Sequence, residues 1–145
     1  ESADPQAFID FLKEFADKCH HGKEENMLFP ALMNAGVKKE GGPIGVMLHE
    51  HVEGRKFIQE MQASISPTLN VPMFVQAAHG YTELLQQHIQ KENEVLFPMA
   101  EKVLTTNQLD SLFKAFEEFE EKVIGAGRHE QLHALLKTWK SMYLT

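Results

Sequence analysis

The chain has 145 residues, with 14 Lys and Arg against 21 Asp and Glu for a formal charge of −7, eight His and a single Cys. That length suits one domain, residues 1–145, burying roughly two-thirds of its unfolded surface without disulfides. The acidic balance disfavours a nucleic-acid groove or an anionic membrane surface, and no run of about 18 apolar residues spans a membrane.

The lone Cys excludes an internal disulfide, so a metal site must draw on nitrogen and oxygen ligands. With no charged-then-apolar leader in view, it also points to the cytoplasm. The chain starts at Glu1 without a Met, which leaves room for residues upstream. Eight histidines stand well above an ordinary composition.

Long segments follow a helical period and none alternates like a strand, which predicts an all-α fold. Asp4-Pro5 reads as N-cap and first helical position of a helix over 5–34, with Phe8, Leu12, Phe15 and Cys19 on one side and Pro30 bending its late part. Gly41-Gly42-Pro43 opens a second helix over 43–66, striped by Ile44, Met47, His51, Ile58 and Ile65. Asn70-Val71-Pro72 opens a third over 71–104, carrying Phe74, Ala77, Tyr81, Leu84, His88, Val95 and Met99. Thr105-Thr106-Asn107 caps a fourth over 108–123, with Leu109, Leu112, Phe113, Phe116 and Val123 inward. A fifth, over 128–144 after Gly125-Ala126-Gly127, carries Leu132, Leu136, Trp139 and Tyr143. Short connections between long helices predict an up-and-down bundle.

A repeat lies inside this pattern. His20-His21-Gly22-Lys23-Glu24-Glu25-Asn26-Met27-Leu28-Phe29-Pro30 aligns without gaps with His88-Ile89-Gln90-Lys91-Glu92-Asn93-Glu94-Val95-Leu96-Phe97-Pro98, identical at His, Lys, Glu, Leu, Phe and Pro. The His and Glu are spaced i, i+4, which sets them about 40° apart on one helix face.

At about 100° per residue, His51 and His88 fall on the apolar stripes of their helices, and His20 and Glu24 adjoin the arc through Ala16, Met27 and Ala31. Glu92 follows His88 inward. His21, His49 and His79 point away. Burying two carboxylates and three imidazoles in a helical core costs several kcal/mol unless a cation turns them into ligands, and such a set suits iron, zinc or copper. His129 and His133 form another i, i+4 pair on an apolar face without an inward carboxylate, and are left undecided between core and metal. Cys19 reads as a buried thiol, Tyr81 as a packed core residue with a satisfied hydroxyl, and Met47, Met61 and Met99 as core filler. Glu117-Glu118 and Glu120-Glu121-Lys122 read as a solvated face.

These motifs, together with Glu50-His51 ahead of Gly54-Arg55, resemble the hemerythrin-like, or HHE, cation-binding domain over residues 4 to about 104. The segment from Gly127-Arg128-His129-Glu130 to His133 also looks like endings in bacterial members. The resemblance implies a four-helix bundle around a non-haem di-iron centre with bridging carboxylates and terminal histidines. His20, Glu24, His51, His88 and Glu92 match its ligand positions; zinc is the alternative metal.

Two departures accompany the match. The family's first helix and its histidine are expected to be absent from this chain, leaving one position to a later helix or another subunit. The oxygen carriers use a His-three-residues-His pair where only Glu50 and His51 stand, and an Asp at i+5 where Glu92 stands at i+4. The implied function is a domain that binds or senses dioxygen, nitric oxide or redox state, with a protein partner or a second copy as its readout. The alternatives are peroxide or nitric oxide consumption, repair of iron centres, or a zinc-bound or metal-free interaction module.

Overall fold

Asp4 accepts a hydrogen bond from the Gln6 N–H at 3.0 Å, and Pro5 follows it into the first turn, so the first helix starts where capping chemistry places it. The computed structural model describes residues 4–125 and, beyond them, residues 127, 130, 131 and 134. Helix α1 covers residues 5–34 in four stretches: α-helical Pro5–Phe11, π-helical Leu12–His21, π-helical Glu24–Leu28 and α-helical Phe29–Asn34. Helix α2 is Pro43–Ala63. Helix α3, residues 71–103, joins α-helical Val71–Lys91, π-helical Glu92–Leu96 and α-helical Phe97–Val103. Helix α4 is Thr106–Ile124. No strand occurs among the described residues, and none of their helices is long and apolar enough to cross a membrane. The additional helix expected over 128–144, with His129 and His133, lies outside the described residues but for three positions.

Local chemistry sets the helix ends. Ser64 stops α2 before the expected 66: its Oγ donates to the Met61 carbonyl at 2.6 Å and its own carbonyl accepts from the Asn70 N–H at 2.7 Å. Thr105 and Gln108 form a reciprocal capping box, so α4 begins at Thr106 rather than 108.

Two of the π turns explain the sequence repeat. The Phe29 N–H donates to the Glu24 carbonyl and the Phe97 N–H to the Glu92 carbonyl, five residues back in each case. Pro30 and Pro98 come next; each lacks an N–H, and each ring crowds the carbonyl four residues before it. A wider turn ahead of the proline accommodates both effects. The extra residue shifts the phase of α3: Val95, expected inward, is 48% exposed, while Leu96 takes its place in the core. Phe113 and Val123 on α4, also expected inward, are 61% and 41% exposed.

Three helices cross the same layers in alternating direction. One apolar cluster gathers Leu28, Phe29 and Leu32 of α1, Ile44 and Met47 of α2, and Leu96 and Ala100 of α3, closed by Leu104 and Leu112. The other gathers Ile9, Phe11 and Leu12 of α1, Ile58 and Met61 of α2, and Ala77 and Tyr81 of α3. On each helix the stretch between the two clusters supplies the buried polar residues His21 and Glu24, Glu50 and His51, and His88 and Glu92. Helix α4 packs on the π-helical part of α1, where Lys23 pairs with Glu120, so that acid is not part of a wholly solvated face.

Candidate metal centre

The buried polar layer resolves into two adjacent groups, each with its candidate ligand atoms within 4.8 Å of one another: His21, His51 and His88 in one, His20, Glu24 and Glu92 in the other. Glu24 faces both. Its Oε1 lies 3.2 Å from His20 Nε2, and its Oε2 lies 2.9 Å from His51 Nε2 and 3.9 Å from His88 Nε2. Glu92 Oε1 also stands between them, 2.8 Å from His88 Nε2 and 3.5 Å from His20 Nε2. The His21 and His51 rings stack with centroids 4.0 Å apart, and the His88 ring lies 5.0 Å from that of His51.

His21 corrects the expectation that it points away, for it is 5% exposed. The 100° step holds for an α-helix, whereas the segment from Leu12 to His21 is π-helical. With about 4.4 residues per turn for i→i+5 bonding, nine positions make two full turns, so His21 lies beneath Leu12 instead of opposite it. His20 remains part of the layer but its side chain is 46% exposed. His49 is exposed, and exposed His79 stands 3.5 Å from Glu83, as expected for residues outside the core.

The outer nitrogens of the buried imidazoles are engaged. His51 Nδ1 lies 3.0 Å from Glu25 Oε1, and His88 Nδ1 lies 3.1 Å from Glu50 Oε1. A carboxylate there fixes the tautomer with the proton on Nδ1 and leaves the Nε2 lone pair facing inward, the arrangement common behind metal-binding histidines. His21 Nδ1 faces Asp17 Oδ1 at a longer 3.8 Å. Arg55 ties two of these acids together, donating from Nε to Asp17 at 2.9 Å and from its Nη2 to both Glu25 oxygens at 3.1 and 3.0 Å. Lys91 Nζ holds Glu50 at 2.6 Å. Glu25, Glu50 and Lys91 escaped sequence reasoning as supports because their partners lie on other helices, and Asp17 because its i, i+4 partner His21 was expected to point away; only the Glu50 and Arg55 neighbourhood carried a motif.

Electrostatics follow the same geometry. The Glu24 carboxylate, and Glu92 after it, lift His20 to about 9. Burial would raise Glu92, but His20 and His88 hold it well below the usual carboxylate range. Burial lowers His21 despite Asp17, whereas on His88 the lowering by burial is outweighed by Glu92 and Glu50. Burial raises Asp17 and Glu25, yet His21 with Arg55, and Arg55 with His51, bring them below their ordinary values.

Whether the layer suits a cation can be read from its inner atoms. His21 Nε2, His51 Nε2, His88 Nε2, both Glu24 oxygens and Glu92 Oε1 are buried without a hydrogen-bond partner among the described residues, although several stand within 3 Å of one another. Buried polar atoms are ordinarily paired. Three nitrogens and carboxylate oxygens converging in this way are lone pairs suited to a metal of intermediate hardness.

Fold and site together define a helical-bundle metal-binding domain. The Hemerythrin HHE cation binding domain family matches residues 1–100, and the chain belongs to that family. It is similar to the iron-sulfur cluster repair protein YtfE of Dickeya chrysanthemi, 35% identical over 88 residues covering 56% of this chain and 40% of that protein. It is also similar to YtfE of Edwardsiella ictaluri, 32% identical over 99 residues (63% and 44%), and of Salmonella paratyphi B, 34% over 88 residues (56% and 40%). The chain thus spans about two-fifths of the length of the curated relatives it matches. No solved structure gives a significant match.

Proposed function

We propose that the chain is a non-haem di-iron domain that binds dioxygen or nitric oxide and reports its occupancy or redox state. The residues that would hold the pair are His21, His51 and His88 in one group and His20 and Glu92 in the other, with Glu24 facing both. The observation that carries this is the crowding of six buried nitrogen and oxygen atoms, without a further hydrogen-bond partner among the described residues, in two groups joined by a carboxylate that faces both. An iron pair supplies reversible one-electron chemistry and open positions for a small ligand. The protein's own part is to fix the imidazoles of His51 and His88 through Glu25 and Glu50, and to flank the layer with an apolar cluster on either side, His20 alone opening to solvent.

The relatives' name favours a second reading, in which the same iron pair serves the repair of damaged iron-sulfur centres. Anaerobic loading with ferrous iron, followed by optical spectra on adding dioxygen or nitric oxide, separates the two. A reversible spectral change supports ligand binding. Restoration of a damaged iron-sulfur protein without a reversible ligand spectrum supports repair. A chain that takes up no iron and keeps its fold contradicts both, and leaves a zinc-bound or metal-free module.

A further inference from the structure

Tyr81 lies two turns before His88 on α3 and is 4% exposed, yet its hydroxyl has no hydrogen-bond partner among the described residues. A buried phenol usually finds one. Tyr81 lines a small cavity of about 10 Å³ together with His21, Glu50, His88, Gly54, Leu84 and Leu85. That space is about the size needed for one small molecule such as water.

Two of its walls, His21 and His88, are members of the three-imidazole group, so the cavity adjoins that group, with Glu50 behind His88 Nδ1 as a further wall. The leucines make another side apolar. Gly54 keeps the space open: a Cβ there would sit 3.5 Å from Tyr81 Cε2 and 3.8 Å from Leu84 Cδ2, ordinary contact distances that alanine can meet without a clash. Burial, and after it Asp17, pushes the Tyr81 phenol up to about 12, so it stays an O–H donor at neutral pH.

We propose that this cavity is the binding pocket for a diatomic ligand with a terminal acceptor atom, and that the Tyr81 hydroxyl donates the hydrogen bond that retains it. The inference rests on the reading of His21, His51 and His88 as a metal-holding group and adds the ligand's location and its donor. It replaces the expectation that the Tyr81 hydroxyl is satisfied within the core.

The test uses nitric oxide on the ferrous, iron-loaded chain, following its dissociation in the presence of a scavenger and the N–O stretch by infrared spectroscopy in light and heavy water. Tyr81→Phe should keep full iron content, release nitric oxide about tenfold faster, as loss of one hydrogen bond implies, and lose the heavy-water shift of the stretch. Gly54→Ala should keep iron and fold and bind nitric oxide more weakly, because its methyl occupies the cavity. Full iron with unchanged nitric oxide release and an unchanged stretch in Tyr81→Phe overturns the pocket alone. Failure of the unmodified chain to take up iron overturns the metal-holding group, and the pocket with it.

Discussion

The histidines of the described residues divide by what stands behind each ring. His51 and His88 have a carboxylate on Nδ1 and an inward Nε2, His21 stacks on His51, and His49 and His79 face solvent. His21→Ala should therefore lower iron content as much as His51→Ala does, while His49→Ala and His79→Ala leave it unchanged, by elemental analysis of purified protein. Equal loss from His79→Ala would remove the geometric distinction. Arg55 touches no candidate ligand but fixes Glu25 and Asp17. Removing such an outer partner typically weakens metal affinity by about 10- to 100-fold. Arg55→Ala should do so in competition with a chelator while the far-ultraviolet circular dichroism stays the same, and unchanged affinity would show that the acids keep their places without it. His20, Glu24, His51, His88 and Glu92 could be picked out in the sequence from a repeat and a period. Glu25 and Glu50 could not, since nothing local says which acid on one helix will stand behind an imidazole on another.

At the scale of the helices, the departures from expectation share a cause. The α-helical step serves α2, where Ile44, Met47, His51 and Ile58 are buried as their spacing requires. It fails where the backbone widens, turning His21 inward in α1 and exchanging Leu96 for Val95 in α3. The signal was present in Leu-Phe-Pro, repeated after each His and Glu pair, but a proline announces a disturbed turn without saying whether the helix bends or takes in an extra residue. Capping was more legible: Thr105 with Gln108 forms the box that opens α4. Thr105→Ala should cost about 1 kcal/mol in urea denaturation and leave iron content untouched. A coupled loss of iron would mean that α4 helps to shape the metal layer.

In the whole molecule the polar layer lies between two apolar clusters, so the bundle encloses carboxylates that are costly to bury without a cation. The all-α architecture followed from periodicity alone, because helical stripes and short connections leave few other ways to bury those faces. The position of α4 and the inward role of His21 did not, since both depend on packing between helices. A metal that binds only the folded state should stabilise it by about 2.7 kcal/mol at a hundredfold excess over its dissociation constant. Chelation should accordingly lower the thermal midpoint, and an unchanged midpoint would mean that the layer is stable without metal. The most direct measurement is iron per chain in the unmodified protein and in Glu24→Ala. The expected result is two irons falling to one or none, because the two Glu24 oxygens face separate groups. Two irons retained without Glu24, or none bound with it, would contradict a carboxylate-bridged iron pair.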